Sequence, residues 1–417
     1  MQNSTLQKII LVIMLIAGIA GVVLYSASYF FGLFFIIAAL FLFYFYKRVA
    51  EGSESANSWA AGFAKTLYIP AIGIAVAIII GAIIMLITGY NPIVAYKALF
   101  YGGFVKNWHI SILNAVPLIF TGLSVAFAFQ AGLFNIGAEG QFYIGSMVAT
   151  WLGLKLGTPQ VLSIILIFLI AGIAAAAYNI IPAALKVKTG AHEVITTMML
   201  AHTAKYLSPI FIRGNGGDPA ISKHAYVTDD VLKNTFLPTF KQFLPEANYR
   251  LHIGILIAIV VAIIVYYILY YTKIGYEVRA VGQNPNAARA QGISIGKNIM
   301  IALLFAGLLS GFAGVNQVLG LDHRMYQNLN AGYGWNGISV AILASNNPIG
   351  VIFTSLLWGA LDAGGQYMNR TTQIPNSIVE IIKGVILFLI VARYIYSFIG
   401  LKIKKRKTKA VEVKEAA

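Results

Sequence analysis

This 417-residue chain contains no cysteine. Disulfides, thiolate metal sites and cysteine nucleophiles are therefore excluded. Charge is scarce as well. Only 11% of residues are Asp, Glu, Lys or Arg, where a soluble domain carries roughly 25%. Acids are the scarcer sign, 14 against 30 basic residues, for a net charge of +16. With 59% of residues hydrophobic, the chain reads as a polytopic integral membrane protein. The alternating ~10-residue pattern of a membrane β-barrel is missing, so the fold is all-α. In that setting the basic excess marks cytoplasmic loops and contact with anionic lipid, not nucleic acid.

Catalytic signatures are missing too. His192-Glu193 is followed by Ile195 and Thr196, so there is no H-E-x-x-H zinc motif. Gly292–Asn298 has too short a spacing between its glycines for a Walker A loop and ends in Asn. No G-x-S-x-G elbow occurs. The chain is read as a non-enzyme, with no catalytic residues, no metal site and no cofactor of its own.

What is present is a succession of apolar runs. Ile9–Leu24 and Tyr29–Tyr46 form an uncleaved hairpin closed by Lys47 and Arg48. The hairpin and its linker, residues 1–66, make a first region. A main transmembrane domain, 67–400, and a basic cytoplasmic tail, 401–417, follow. Further spans are predicted at Leu67–Ile87, Ile110–Phe129, Phe142–Leu154, Val161–Leu185, Gly190–Ile212, Leu251–Tyr271, Ile299–Leu319 and Ile378–Tyr396. Asn91–Trp108 and Asp322–Asn330 read as outer loops. The polar stretch 213–250 reads as an extracellular cap, and 273–298 as a cytoplasmic loop. Trp335–Ala344 and Ile349–Ala363 read as a short re-entrant pair broken at Asn346, Asn347 and Pro348. That gives about 10 spans, or 12 if both cross, with both termini cytoplasmic.

The centre of this arrangement is Ala131–Gln141, AGLFNIGAEGQ. It sets Asn135, Glu139 and Gln141 beside hydrocarbon, where an unpaired carboxylate costs about 2–3 kcal/mol. Its glycines permit a bend. It reads either as a tight turn or as a broken helix lining a polar pathway. Ala331–Gly337 resembles Ala131–Gly137, and the span count orients the two oppositely, as in an inverted repeat. Gly307 and Gly311 form a G-x-x-x-G pair for close helix contact. In the cytoplasmic loop, Asn284 caps a predicted short helix that starts at Pro285. Ala287, Ala288 and Ala290 give it a small face, Arg289 a charge, and Gly292 an end.

That segment resembles the coupling loop of bacterial ABC importer permeases. NIGAEGQ at Asn135–Gln141, GAHEVITTMML at Gly190–Leu200 and GYGWNGISVAILASNNPIG at Gly332–Gly350 are similar to the branch serving branched-chain amino acids, ribose and nucleosides, nearest to the nucleoside permeases. The resemblance runs from about Val116 to Ala392; the hairpin and the 213–250 loop carry little of it. It implies a multi-pass subunit of the bacterial cell membrane. A separate ATPase subunit would bind ATP and Mg, a substrate-binding lipoprotein would deliver solute, and a second permease chain, the same or related, would complete the path. It also implies that Asn284, Pro285, Ala287, Ala288, Arg289 and Gly292 couple to the ATPase. Phe134, Asn135, Glu139, Gln141, Asn316, Gln317, Trp335 and Asn336 are candidates for the solute path. Each amide among them could equally be helix–helix glue, worth roughly 0.6 kcal/mol. His192 and Glu193 are expected to pair with the coupling region or with each other's neighbours, and not to touch solute. The alternatives are the same machine with a simple sugar or a branched-chain amino acid, and an ion-driven secondary transporter using Glu139 and Asp362.

Overall fold

A computed structural model describes residues 73–214, 227–242, 250–327, 329 and 332–391. The N-terminal hairpin and linker, and the 401–417 tail, lie outside the described residues, as does Ala331 of the second repeat segment. In chain order the α-helices are α1 (Gly73–Ile87), α2 (Pro92–Phe100), α3 (Trp108–Gln130), α4 (Ala138–Lys155), α5 (Gln160–Tyr178), α6 (Ile180–Thr189), α7 (Glu193–Arg213), α8 (Gly254–Tyr271), α9 (Lys273–Gln283), α10 (Pro285–Ala290), α11 (Ile295–Gln317), α12 (Tyr333–Leu343), α13 (Pro348–Thr372) and α14 (Ser377–Val391). The only strand pairing among the described residues is two isolated antiparallel bridges, Val227–Tyr326 and Thr239–His252.

The chain divides into two units, one of Met85–Glu380 and one of Met1–Ile84 with Ile381–Ala417. In the latter, the described parts of α1 and α14 meet where Gly73 faces the Ile390 side chain. In Met85–Glu380 the axis is α3. It is apolar all round and its residues are buried from Ala115 to Ala128, as a helix without a polar face must be. α11 runs antiparallel beside it: the Phe312 ring meets Phe120 at 6.1 Å, and Phe305 stacks on Phe127 at 5.1 Å. On its other side α11 meets α5, where Gly307 and Gly311 lie directly against Ala175. The expected close G-x-x-x-G contact is thus made within the chain. α13 flanks α3 from a further side, with Gly359 against the Ser111 carbonyl.

Five helical stretches among the described residues are long and apolar enough to cross a membrane: Trp108–Gln130, Gln160–Thr189, Gly254–Tyr271, Ile295–Asp322 and Pro348–Thr372. α4 and α7 have the length, 18 and 21 residues, but are too polar to count among them.

Two expectations need correction, and two are refined. Asn91–Trp108 is not a loop. Asn91 Oδ1 accepts the N–H groups of Ile93 and Val94, Pro92 opens α2, and a π-helical turn, Tyr101–Lys106, follows. Its glycines let it lie on the Ala360 carbonyl and the Tyr367 side chain. The expected span at Val161–Leu185 lies within the single apolar stretch Gln160–Thr189, which has one turn at Asn179, whose Nδ2 donates to the Leu303 carbonyl. Ile349–Ala363 is part of a 25-residue helix, α13, so only α12 is short. The Asn347 cap and Pro348 start that helix, one turn after Ser345 and Asn346 take positive φ. Of the two pairings open to Glu193, the structure shows the one with a near neighbour, Lys186 at the end of α6, at 2.8 Å.

The described part of the 213–250 stretch is a strap. The N–H groups of Thr228, Val231 and Leu237 donate to the carbonyls of Met325, His323 and Leu319 at 2.8–2.9 Å, and that of Leu232 donates to Gly153. An Arg324–Asp230 ion pair at 2.8 Å accompanies them. Backbone bonding therefore fastens this segment over the ends of α4 and α11.

α4 lies directly on α11 at Gly145, where a Cβ would fall 2.6 Å from Gly311 Cα. Gly145→Val forces α4 off α11, with an expected stability loss of about 3 kcal/mol. Thermal unfolding of the detergent-solubilised protein checks it; an unchanged midpoint would contradict this packing.

Candidate solute path and coupling segment

Two helices in this fold begin partway along their neighbours instead of at the end of the bundle. The α12 start lies near the middle of α3, where Thr121 Oγ1 donates to the Tyr333 carbonyl at 3.0 Å. α12 then runs parallel to α3, since Gln130 Nε2 at the α3 end donates to the Asn346 carbonyl just beyond α12. α4 also begins beside the inner part of α3: Asn135, in its lead-in, donates to Ser124 Oγ at 3.3 Å. It joins antiparallel α5 through a short turn and so runs opposite to α12. The two helix starts meet. A Cβ on Gly334 would collide with the Glu139 backbone, so the approach demands glycine.

Each helix start exposes unpaired N–H groups, and Glu139 serves the junction. Its Oε2 accepts the Gly334 N–H at 2.9 Å, and the Trp335 N–H also bonds to this carboxylate. Glu139 is 6% exposed and lies in the first turn of its own helix. An anion between two helix N-termini is stabilised by both dipoles. Lys205 on α7 adds a positive charge within electrostatic reach.

Asn135 and Gln141 form a closed pair. Asn135 Nδ2 donates to Gln141 Oε1 at 3.0 Å, and Gln141 Nε2 donates to Asn135 Oδ1 at 3.1 Å. Asn135 Oδ1 also takes the Gly137 N–H. Both residues are buried, so these amides lock the lead-in to the first turn of α4. Phe134 is partly exposed, with its ring 5.0 Å from Phe129. Trp335 is 38% exposed and Asn336 partly so. The structure therefore gathers Phe134, Asn135, Glu139, Gln141, Trp335 and Asn336 at one junction. Asn316 and Gln317 lie elsewhere. Asn316 faces Gly254 at the start of α8, and Gln317 Nε2 holds Asp322 Oδ2 at 2.8 Å beside a π-helical turn, Val318–Asp322.

The coupling segment has the expected form. Asn284 Oδ1 accepts the N–H groups of Asn286 and Ala287, Pro285 opens α10, and Gly292 takes φ +78 beyond its end. Pro285, Ala287 and Arg289 are exposed. Ala288 is 3% exposed and turned inward, so it lies beneath the exposed face and not on it. Between α9 and α10 a cavity of about 220 Å³ is lined by Tyr276, Arg279, Gln283 and Gln291 among others. The end of α9 touches the central motif: a Cβ at Gly282 would lie 2.7 Å from the Gly132 N. The helix ahead of the coupling residues is thus in backbone contact with the turn ahead of the path residues. Gly282, Gly334, Ser124, Thr121 and Lys205 escaped sequence reasoning. Each is an ordinary small or polar residue whose role depends on a distant neighbour.

Residues 109–391 match the family described as "Branched-chain amino acid transport system / permease component", and the chain belongs to that family. Its similar relatives include the guanosine ABC transporter permease protein NupP of Bacillus subtilis, 33% identical over 82% of this chain and 97% of that protein. The nucleoside ABC transporter permease protein NupB of Lactococcus lactis is 32% identical over 84% of this chain and 96% of its own length. The glucose ABC transporter permease protein TsgB13 of Haloferax volcanii is 30% identical over 81% and 90%. No solved structure gives a significant match.

The amide pair yields a measurable coupling. Asn135→Ala and Gln141→Ala each leave a buried partner unsatisfied, at an expected cost of about 1–3 kcal/mol. The double variant should lose clearly less than the sum of the two. Unfolding midpoints of the three variants decide; strict additivity would show that the pair does not act as a unit.

Proposed function

We propose that this chain is the membrane permease subunit of an ATP-driven ABC importer for nucleosides. The observation that carries the reading is the junction of two oppositely directed broken helices at Glu139 and Gly334, in a chain whose relatives include guanosine and nucleoside permeases. Broken helices meeting in a bundle are where transporters place their solute sites. The two opposed half-helices fit an inverted repeat, and about ten crossings with cytoplasmic termini complete the proposed topology. The Gln130 end of α3 is then the cytoplasmic end, with α9 and α10 beside it.

In this reading a partner ATPase grips α10 at its exposed Pro285, Ala287 and Arg289 face, and ATP and Mg stay on that partner. Asn284 and Gly292 fix the two ends of α10, and Ala288 seats it against the bundle. Displacement of α10 and α9 passes through the Gly282–Gly132 contact into the lead-in of α4. The Asn135–Gln141 lock carries it to Glu139, which holds the α12 start. Both half-helices then shift together, opening the path to one side and closing it to the other. Phe134, Trp335 and Asn336 are the junction residues with exposed surface, and they meet the solute. Asn316 and Gln317 shape the opposite mouth of the path. A substrate-binding lipoprotein delivers solute there, and a second permease chain encloses the path. Glucose is the competing solute, favoured by the similarity to TsgB13.

The test is ATP-dependent uptake of labelled nucleosides, glucose and branched-chain amino acids into vesicles holding the assembled complex. Nucleoside uptake alone is the expected outcome; uptake of glucose alone, or uptake driven by an ion gradient without ATP, would overturn the proposal. In the same vesicles Ala287→Glu should abolish uptake while the permease remains in the membrane. Glu139→Gln should lower uptake severalfold more than it lowers membrane yield, because one neutral amide oxygen replaces an anion facing two helix starts.

A further inference from the structure

α7 presents a polar flank that the junction does not use. It packs through Thr197, Ala201, Ala204, Ser208 and Ile212, a stripe of mainly small residues, with Ala201 against Gly140 of α4. His202 and Lys205 project away from that stripe and are exposed. At 3.6 residues per turn, Met198, His202, Lys205 and Pro209 share one flank. Tyr206, 72% exposed, adjoins it. Leu207, also exposed, lies on the opposite flank, roughly 140–180° away.

This placement conflicts with a lipid-facing role. His202 stands nine residues from the first residue of α7 and eleven from the last, about 14 and 16 Å along the axis. In a hydrocarbon layer of about 30 Å that is close to the middle. A lysine near a helix end can extend to the headgroups, but an imidazole at mid-depth cannot. Intramembrane ionisable residues face water or protein. Ala201 on α7 lies against Gly140, the residue after Glu139, so α7 borders the junction.

We propose that the His202–Lys205–Tyr206 flank of α7 is a wall of the aqueous solute path and recognises the base of the transported nucleoside. This rests on the nucleoside reading above. Lys205 offers donors and no acceptor, which suits the carbonyl oxygen and ring nitrogen of a purine edge. His202 adds a second hydrogen-bonding group, and the exposed Tyr206 ring offers a stacking surface for a flat base. The positive flank also disfavours cations.

The absence of cysteine makes the test clean. Single cysteines at 202, 205 and 207 are introduced into the otherwise unchanged chain, assembled with its partners in vesicles. A charged, membrane-impermeant thiol reagent should modify His202→Cys and Lys205→Cys but not Leu207→Cys. Guanosine should slow modification at 202 and 205, and glucose should not. His202→Leu should raise the half-saturating guanosine concentration about tenfold, the loss of one polar contact, with lesser change for glucose if glucose is carried at all. An unreactive cysteine at 202, or equal reaction at 207, would overturn the wall. Reaction without protection by guanosine, in vesicles that do take up guanosine, would overturn base recognition. Vesicles with wild-type chain that fail to take up any nucleoside would instead count against the proposed solute, and the labelling pattern would separate the two failures.

Discussion

A backbone that breaks inside an apolar bundle leaves N–H groups with no water to bond, and each must find a partner within the protein. The described bundle breaks twice at one place, ahead of α4 and ahead of α12. The Glu139 carboxylate answers both: it sits in the first turn of one helix and takes the Gly334 N–H of the other at 2.9 Å. The rest follows from this shared anion. Gly334 has to be glycine for the backbones to come close enough. Asn135 and Gln141 have to close on each other so that the lead-in presents Glu139 in register. Thr121 fixes the height of α12 against α3. Removal of the acid would leave the α12 start without its acceptor and the α4 start without its first-turn anion in a low-dielectric setting.

The junction also has two connections outward. On one side Gly282 rests on the backbone of the 130–132 turn, so α9 and the capped α10 are in direct contact with the break. Backbone-to-backbone contact transmits displacement with little slack, because no side-chain rotamer can absorb it. On the other side the 227–242 strap is bonded to the ends of α4 and α11, which holds the segment leading down to α12. The break is therefore gripped from both ends of the bundle, an arrangement suited to two discrete positions and not to gradual bending.

Family membership and solute are separate questions here. The matched family is named for branched-chain amino acids, while similar relatives are named for guanosine, nucleosides and glucose. A common scaffold with different cargo means that the path walls decide specificity and the junction does not. The junction amides are consumed by each other and by backbone, so in the proposed reading recognition falls to groups with free surface, on α7 and at Trp335 and Asn336.

The sequence by itself determined the features that depend on neighbours a few residues away. Scarce charge and long apolar runs made an all-helical membrane protein. Asn284, Pro285 and Gly292 marked both ends of α10, and AGLFNIGAEGQ marked a polar interruption that reads as a turn or as a broken helix. Only the tertiary structure decided which groups meet. Glu139 and Gly334 are 195 residues apart, and nothing local to either names the other. Ala288 turns inward and Ala287 outward because of how α10 seats, which composition leaves open. α2 is a helix in a stretch that reads as an outer loop, and its π-helical extension packs on α13. The physical reason is common to all three: caps and breaks are settled by short-range sterics and hydrogen bonds, whereas pairing in a membrane bundle is settled by which helices approach closely enough to share their buried polar groups.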